Sequence, residues 1–459
     1  MADEDERETL ILFPLPFQGH MSPMIQLARI LHSRGFAISI FHATLNSPRH
    51  SNYPQFTFRP LSDGLSPEES AAADPAQIIR LVNASCAEPF RRGLAAEMAR
   101  KRVKCIITDA NWYFTQAVAE AAEVRRVVMR TSSVCSFLAF AALSDLAAKG
   151  YLTHTNSNSN SRRMRDDPVE ELPPLKVKDI PFMDQLCNNP QDAYQNIAKM
   201  MAATKKASAI IFNTSGDLED PDLAKLRRLY FPVPTFVIGP FHKCFSAAST
   251  SFHAHDEASV PWLDGQAPES VLYVSFGSVV EMDVRELEEV ARGLACSGQP
   301  FLWAIRPGLV RGCDWVEMLP EGFLEETSDR GRIIEWAPQQ EVLRHPSIGG
   351  FWTHCGWNST LESICEGVPM ICSPFFGDQL VNSRYVSHVW RVGIRLETGF
   401  ERGEITTEIR RLMVEEEGKE MRQRSSCLKK KIESSLSDGG SSYKGLNSLV
   451  DFISPMLDT

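Results

Sequence analysis

Residues 351–359, which read FWTHCGWNS, combine residue types and a spacing suited to binding phosphate. The apolar run at 349–352 predicts a strand, and Gly356 permits a tight turn into a helix. Unpaired backbone N–H groups at the start of a helix bind anions, and His354 and the Ser359 hydroxyl add donors at the same place. The segment is also compatible with an ordinary strand, turn and helix, in which the polar side chains only cap the helix.

Two flanking segments carry side chains suited to a base and a sugar. Upstream, Trp336 follows a predicted strand, where its indole can stack on a flat base or lie in the core. Downstream, Asp378 and Gln379 also follow a strand, and they can hydrogen-bond to sugar hydroxyls or form a solvated turn. Glu362, inside the predicted helix 357–366, can accept hydrogen bonds from two vicinal hydroxyls or lie on a solvated face.

His20 and Asp109 are the residues best suited to acid–base chemistry. His20 lies in a Gly-His turn after the first predicted strand, and histidine alone has an ordinary pKa near neutrality. Asp109 follows another strand of the same predicted sheet. If the two strands are neighbours, Asp109 can accept a hydrogen bond from the Nδ1–H of His20 and stabilise the imidazolium. A lone histidine is usually not catalytic, so the residues by themselves leave this role open.

Alternating strands and helices must position these side chains. In the first half, strands at 9–15 and 36–41 flank a helix that Ser22 caps, with Pro23 at its first position. The other elements predicted there are strands at 105–108, 126–130 and 207–213, and helices at 113–122 and 137–148. The elements predicted in the second half are strands at 271–276, 301–306, 332–335, 349–353 and 369–372, helices at 284–296 and 357–366, and a charged helical tail from Thr406. This alternation predicts two doubly wound α/β halves, in which ligands bind at the carboxyl ends of the strands.

A change of composition after residue 240 predicts two domains, 1–240 and 259–459, joined by a polar linker at 241–258. The C-terminal helix of the second domain is expected to pack back on the first domain. A polar stretch at 154–171 is predicted to be a mobile surface loop. The 459 residues suffice for two or three domains, and a hydrophobic content of 43% excludes wholesale disorder. The net charge of −10 argues against non-specific nucleic-acid binding, which needs clustered cations.

The composition predicts a cytoplasmic protein that does not span a membrane. The first eight residues, MADEDERE, lack the basic flank and apolar run of a signal peptide, and no run of 18 apolar residues occurs. The eleven cysteines are scattered, with no Cys-x-x-Cys pair and no zinc spacing. Reduced thiols and no metal site are therefore expected.

The segment from Trp336 to Gln379 resembles a family signature. It spans 379 − 336 + 1 = 44 residues, as does the plant secondary product glycosyltransferase signature of the UDP-dependent family 1 glycosyltransferases. The segment opens with WAPQ, contains HCGWNS followed by Glu362, and ends in Asp378-Gln379. The motifs PFQGH, TDA at 108–110 and SFGS at 275–278 extend the resemblance over the chain. FQGHMSPM, ITDANWYF and LPPLKVKD are most similar to the subfamily of cytokinin and steviol glucosyltransferases.

The resemblance implies an α/β GT-B fold, two facing Rossmann-like domains with the active site in the cleft between them. It also implies that His20 is the catalytic base and that Asp109 orients it. The implied contacts with uracil and ribose are Trp336, Ala337, Gln339 and Glu362. The implied ligands of the diphosphate are Ser278, His354, Asn358 and Ser359. The residues implied to read the sugar hydroxyls are Trp357, Asp378 and Gln379.

The reaction implied by the resemblance is an inverting transfer of glucose from UDP-glucose. His20 removes a proton from an acceptor hydroxyl or amine as that atom attacks C1 of the sugar, and a β-glucoside forms as UDP leaves. No cofactor and no metal is expected, and the enzyme is expected to be a monomer. The expected acceptor is a small hydrophobic metabolite such as a terpenoid, with a cytokinin amine or a flavonoid as alternatives. The positions expected near it are Phe17, Trp112, Ser133, Phe137 and Phe376, with the stretches 85–90, 132–140 and 184–196.

Two other classes of protein are less consistent with the sequence. A Rossmann dehydrogenase is disfavoured because neither half begins with the glycine pattern G-x-G-x-x-G. A non-catalytic binder of sugar nucleotides or hormones is disfavoured because both His20 and Asp109 are present.

Overall fold

The computed structural model describes residues 7–66, 69, 73–151, 165–183, 189–230, 232–245, 256, 258–310 and 318–454. The chain divides into two compact units. The first unit consists of Met1–Asp167, Pro181–Phe252 and Ser434–Thr459. The second consists of Pro168–Ile180 and His253–Glu433. The bounds of these units differ from those of the predicted domains 1–240 and 259–459. Residues 168–180 group with the second unit, and residues 434–459, which include the C-terminal helix expected to pack back on the first domain, group with the first unit.

The first unit is built on a parallel sheet, with seven strands among the described residues. Strands β1–β7 are Thr9–Phe13, Ala37–Ala43, Thr57–Leu61, Val103–Asp109, Arg125–Arg130, Ala209–Phe212 and Thr235–Val237. Helices α1–α7 are Gln18–Ser33, Pro75–Ser85, Ala87–Met98, Thr115–Ala121, Val134–Ala148, Pro190–Lys205 and Gly216–Tyr230. The strand order is β3-β2-β1-β4-β5-β6-β7, so the winding reverses between β1 and β4. In such sheets the carboxyl ends of the two strands at the reversal border the ligand site.

The second unit repeats this design with six described strands. Strands β8–β13 are Val271–Ser275, Phe301–Ala304, Gly331–Ile334, Ile348–Thr353, Met370–Cys372 and Gly393–Arg395. Helices α8–α15 are Ser259–Asp264, Val284–Ser297, Phe323–Glu326, Gln339–Arg344, Trp357–Glu366, Asp378–Arg384, Arg402–Met413 and Glu416–Leu436. The strand order is β10-β9-β8-β11-β12-β13, so the winding reverses between β8 and β11.

The core of the first unit explains the continuous apolar runs of its strands. Leu10 and Leu12 of β1 lie in one buried cluster, whereas Ile11 and Phe13 lie in a second cluster. Alternate side chains of a strand point to opposite faces, so both faces of this sheet are covered. The last helix of the chain, α16 (Ser441–Ile453), contributes to the first cluster. None of the helices in the described ranges is long and apolar enough to cross a membrane.

The first helix begins earlier than the sequence predicts. Helix α1 starts at Gln18, because the Phe17 carbonyl accepts two N–H groups of the first turn at 2.9 and 2.8 Å. The Ser22 hydroxyl accepts a hydrogen bond from the Gln18 side chain at 2.6 Å instead of capping the helix, and Pro23 lies inside it. His20 therefore lies in the first helical turn.

Parts of three predicted loops lie outside the described residues. These parts are 154–164 of the predicted surface loop, 184–188 of the predicted acceptor region, and 246–255 with 257 of the predicted linker. In the described remainder of the predicted surface loop, residues 165–168 and 170 are exposed. Val169 is buried, and Phe241, the first residue of the predicted linker, is fully buried in the core of the first unit.

Candidate active site

His20 and Asp109 form a hydrogen-bonded pair in the first unit. Strands β1 and β4 are neighbours in register, so the turn after β1 and the end of β4 lie side by side. The His20 Nδ1 atom lies 2.6 Å from Asp109 Oδ2. The Asp109 side chain is 1% exposed and that of His20 is 27% exposed. Because Nδ1 is engaged by the carboxylate, Nε2 is the ring nitrogen left for a substrate.

Neighbouring groups keep the Asp109 carboxyl ionised. The backbone N–H and side-chain amide of Asn111 donate to its Oδ1 at 2.9 and 3.0 Å. Burial alone would raise the pKa of Asp109, but His20, the Asn111 N–H and the Arg130 guanidinium together hold that pKa below its ordinary value. The Thr131 hydroxyl lies 3.0 Å from His20 Nδ1 and also restrains the ring. An ionised carboxylate at this position is able to stabilise an imidazolium at His20.

A buried guanidinium lies within electrostatic reach of this pair. Arg126 is 1% exposed and donates to the Thr108 hydroxyl at 2.9 Å and to the Trp112 carbonyl at 3.3 Å. Burial lowers its pKa to about 9, while the charge of Asp109 opposes that change. The sequence reasoning missed Arg126, Asn111 and Thr131. The Asp-x-Asn spacing, typical of a side chain that bonds the backbone two residues on, was an available signal for Asn111.

Most of the predicted acceptor residues of the first unit are core residues. Trp112, Ser133 and Phe137 have no exposed surface. Trp112 stacks on a phenylalanine of β1, with the ring centroids 4.3 Å apart. Their apolar and small side chains led to the prediction of an acceptor pocket, but such side chains are equally typical of a protein core. Phe17 is partly exposed, and its ring centroid lies 6.1 Å from that of His20.

The start of helix α5 is fixed by two buried side chains. The Ser133 hydroxyl caps the helix by accepting the Ser136 N–H at 3.2 Å. Glu219 Oε1 accepts the Cys135 N–H at 3.0 Å. Burial raises the pKa of Glu219 to about 7, although the backbone bond from Cys135 lowers it.

The predicted donor residues lie together at the carboxyl edge of the second sheet. Ser278 follows β8, and His354 follows β11, so both flank the point where the winding reverses. The remaining predicted donor residues follow β10 (Trp336, Ala337 and Gln339), lie in α12 (Trp357, Asn358, Ser359 and Glu362), or start α13 (Asp378 and Gln379). Because the strands are parallel, their carboxyl ends share one edge of the sheet.

Two glycines enclose the His354 ring. A Cβ added to Gly277 would lie 2.5 Å from Cε1 and 2.6 Å from Nε2 of His354, and one added to Gly356 would lie 2.4 Å from Nε2. Burial lowers the pKa of His354 to about 4, against an opposing effect of the Ser275 carbonyl. No hydrogen bond of normal geometry reaches its Nδ1 in the described part of the chain. The imidazole is thus neutral at pH 7 and retains hydrogen-bonding capacity.

The loop after β8 is held by an arginine that the sequence reasoning missed. Arg306, just beyond β9, donates from Nε to the Gly277 carbonyl at 3.3 Å. Its guanidinium also donates to the Val280 carbonyl. These bonds fix both ends of the turn that carries Ser278. No local sequence signal links Arg306 to a loop 29 residues earlier.

Gln339, Ser359 and Glu362 form one polar network. The Gln339 amide donates to the Ser359 hydroxyl at 3.0 Å and to Glu362 Oε2 at 2.7 Å. Gln340 donates to Glu362 Oε1 at 2.9 Å, and the Tyr273 hydroxyl donates to Gln339 Oε1 at 3.3 Å. Burial raises the pKa of Glu362, although the two glutamine amides lower it. Glu362 is therefore held by α11 and does not lie on a solvated helix face.

The two tryptophans of the predicted donor site differ in exposure. Trp336 is partly exposed, whereas Ala337 beside it is buried and its carbonyl accepts the Gln339 N–H at 2.9 Å. Trp357 is 3% exposed, and its ring centroid lies 6.3 Å from that of Trp390. The indole of Trp336 thus retains exposed surface, whereas the indole of Trp357 is almost completely covered by protein.

The last two predicted donor residues, Asp378 and Gln379, follow a loop that the Gln379 side chain holds by hydrogen bonds. Its Oε1 accepts the N–H groups of Phe375 and Phe376 at 2.9 and 3.2 Å, so only its NH₂ group is available to a ligand. Asp378 Oδ2 accepts a hydrogen bond from Asn382 at 3.1 Å and remains partly exposed, as does Phe376. The preceding Gly377 has a φ of +61°, a conformation that side chains disfavour.

Comparison with known proteins identifies the family. A family model described as "UDP-glucoronosyl and UDP-glucosyl transferase" matches residues 66–431. The chain belongs to this family. This UDP-glycosyltransferase is 44% identical to UDP-glycosyltransferase 76B1 of Arabidopsis thaliana, over 99% of both chains. It is 47% identical to UDP-glycosyltransferase 76G1 of Stevia rebaudiana, over 98% of both chains.

Solved structures are similar to this UDP-glycosyltransferase over nearly its whole length. A UDP-glucose:anthocyanidin 3-O-glucosyltransferase in complex with UDP matches with a TM-score of 0.84 at 26% identity, over 98% of this chain and 99% of that one. Os79 of O. sativa in complex with UDP matches with a TM-score of 0.82 at 27% identity, over 97% of this chain and all of that one. The predicted family and the predicted GT-B fold of two Rossmann-like domains are thereby confirmed, and the protein is an enzyme that transfers a sugar from a UDP-sugar.

Proposed function

We propose that this enzyme transfers glucose from UDP-glucose to a hydroxyl or amine of a small hydrophobic plant metabolite and inverts the anomeric centre to give a β-glucoside. The first unit binds the acceptor and the second binds the donor. The observation that carries the proposal is the 2.6 Å hydrogen bond between His20 Nδ1 and the buried carboxylate of Asp109. A protein that only bound sugar nucleotides would have no need of such a pair.

His20 is the proposed general base. With Nδ1–H donated to Asp109, the lone pair on Nε2 accepts the proton of the acceptor as its oxygen or nitrogen attacks C1. The ionised carboxylate offsets the positive charge that forms on the imidazole. Attack from the face opposite UDP converts an α-linked donor into a β-product without a covalent intermediate.

The donor is proposed to lie along the edge of the second sheet. Trp336 stacks on the uracil, the backbone of Ala337 bonds its edge, and the network of Gln339 and Glu362 binds the ribose hydroxyls. The groups proposed to hold the diphosphate are the N–H groups at the start of α12 and the side chains of Ser278, His354, Asn358 and Ser359. These donors stabilise the charge that develops on UDP as it leaves, and they are in place before the reaction begins.

Glucose is the proposed sugar because of the residues at the start of α13. Asp378 and the NH₂ group of Gln379 can pair with equatorial hydroxyls along one edge of the ring, with Trp357 beside them. An axial 4-hydroxyl would leave a polar group poorly paired, at a cost of about 1–3 kcal/mol. A preference for UDP-glucose over UDP-galactose of at least roughly tenfold in kcat/KM is therefore expected.

The acceptor is proposed to be a terpenoid or another flat, hydrophobic molecule, which would contact the partly exposed ring of Phe17 in the first unit. A flavonoid is the second candidate, and one observation favours it: the chain is 38% identical to a protein named flavonol 3-O-glucosyltransferase UGT76E12 from Arabidopsis thaliana. A cytokinin amine remains the third. We further propose a cytoplasmic monomer that needs no metal ion.

The test is a panel of terpenoid, flavonoid and cytokinin acceptors with UDP-glucose, read by mass spectrometry. The best acceptor is then held at saturation while UDP-glucose and UDP-galactose are compared by UDP release. A mass gain of one hexose on an acceptor, with glucose preferred, supports the proposal. Equal efficiencies, or hydrolysis without any glycoside, would contradict it.

A further inference from the structure

A proline-rich stretch of the first half of the chain belongs structurally to the second unit. Residues 168–180, here called the proline segment, lie between α5 and α6, both of which are elements of the first unit. The segment contains the LPPLKVKD motif at 172–179. It folds on itself through a bond from the Val169 N–H to the Leu175 carbonyl at 2.9 Å. Both of these side chains are buried, so the segment is packed in place.

The proline segment is anchored by a buried carboxylate between two arginines. Asp179 has no exposed surface. Its Oδ1 accepts a hydrogen bond from Arg395 at 2.5 Å, and its Oδ2 lies 3.5 Å from Nε of Arg384. Arg384 Nε also donates to the Pro174 carbonyl of the same segment at 3.1 Å. Both arginine side chains are about nine-tenths buried, so Asp179 balances charges that solvent screens poorly.

These contacts fix the far end of helix α13. Arg384 is its last residue, and Asp378 and Gln379 are its first two. The helix has seven residues, is about 10 Å long, and continues directly into a π-helical turn over Tyr385–Val389. Gln379 staples the near end to the preceding loop, and Asp179 ties the far end to the proline segment. A shift of the far end is consequently transmitted to the two side chains at the start.

We propose that Asp179 is a positioning residue for the sugar-binding end of the donor site and a determinant of which hexose is transferred. This inference rests on the proposed function, in which Asp378 and Gln379 read the sugar hydroxyls. Asp179 acts through Arg384 and α13 and does not touch the sugar. The side chains proposed to bind uracil and ribose lie on other elements, so their positions do not depend on Asp179.

The test compares Asp179→Asn with Lys178→Met. The control breaks the neighbouring ion pair of the same segment, Lys178 to Glu397 at 2.6 Å, in which the Glu397 side chain is about half exposed. For Asp179→Asn, kcat/KM with UDP-glucose is expected to fall about 5- to 50-fold, as for a misplaced binding group. The preference for UDP-glucose over UDP-galactose is expected to fall at least threefold, while the Kd of UDP stays within about twofold. Lys178→Met should match the wild type in kcat/KM, in the preference for UDP-glucose and in the Kd of UDP.

Arg384→Gln provides a second variant, since it frees α13 yet leaves Asp179 paired with Arg395. Arg384→Gln should also lower the preference for UDP-glucose over UDP-galactose. If Asp179→Asn does not fold, the result for Arg384→Gln tests the inference. A folded variant with an unchanged sugar preference overturns the inference. So does a loss of UDP affinity as large as the loss of kcat/KM. Failure of the wild type to transfer glucose would instead refute the proposed function.

Discussion

Replacement of Gly277 by alanine tests the proposed role of His354 in binding the diphosphate and separates that role from general stability. The new Cβ would lie 2.5 Å from the imidazole, whereas carbon atoms in contact lie about 3.5–4.0 Å apart. The ring must therefore move by about 1 Å. Gly277 also has a φ of +76°, where an alanine costs roughly 1–2 kcal/mol.

Gly439 offers a matched control for the backbone strain. Its φ is +77°, and a Cβ added there meets nothing within 4 Å. Gly439→Ala should therefore lose a similar amount of stability without any effect on a ligand. The difference between the two variants isolates the collision with His354.

Gly277→Ala is expected to lose the binding free energy of one hydrogen bond between His354 and the charged diphosphate, about 1.5–3 kcal/mol. Since 1.4 kcal/mol is a factor of ten, the Kd of UDP should rise about 10- to 150-fold in Gly277→Ala. Uridine, which lacks the phosphates, should bind both variants as it binds the wild type. Isothermal titration calorimetry with UDP and uridine measures both. Normal UDP affinity in Gly277→Ala, or an equal loss for uridine, would refute the role assigned to His354.

Three further predictions concern His20, Trp336 and the buried Glu219. His20→Ala should lower kcat on a hydroxyl acceptor by about 10²–10⁴-fold and leave the Kd of UDP-glucose nearly unchanged, and near-normal turnover would remove His20 as the base. Trp336→Ala should weaken donor binding by about 1–3 kcal/mol with little effect on the acceptor, and an unchanged donor Kd in calorimetry would exclude stacking. The pKa of Glu219 is raised to about 7 in the folded state, so its contribution to stability is lost as pH rises from 4.5 through 7. Glu219→Gln does not titrate there, so its unfolding free energy relative to wild type should increase by about 2–3 kcal/mol between pH 5 and pH 8, and parallel denaturation profiles would contradict this.

The strands and the signature helix were predictable because their signals are local. Helix α12 runs over Trp357–Glu366 as predicted, since Gly356 and Gly367 bound it on either side. Buried strands such as β1 and β8 appear in the sequence as short apolar runs because both faces are covered. The start of α1 was missed because Ser22-Pro23 is a strong local signal for a helix start, and the Phe17 carbonyl overrides it.

The supporting contacts were not predictable because they join distant parts of the chain. Asp179 and Arg395 are 216 positions apart, and Arg126 hydrogen-bonds a residue 18 positions earlier. Nothing in the local pattern distinguishes these side chains from solvated ones. Even the pairing of His20 with Asp109 depends on β1 and β4 being neighbours, which follows from the reversal in winding and not from the spacing of the two residues.

The division of the chain has a consequence for the construction of chimaeras. Leu449 and Ile453 of α16 are fully buried in the core of the first unit, and Asp179 of the proline segment is buried in the second. A hybrid with a single junction, between residues 240 and 258, would pack α16 of one parent against the sheet of the other. It would also place Asp179 of one parent beside Arg384 and Arg395 of the other. Exchange of the second unit between relatives therefore requires three junctions, near residues 168, 180 and 434, in addition to the one in the linker.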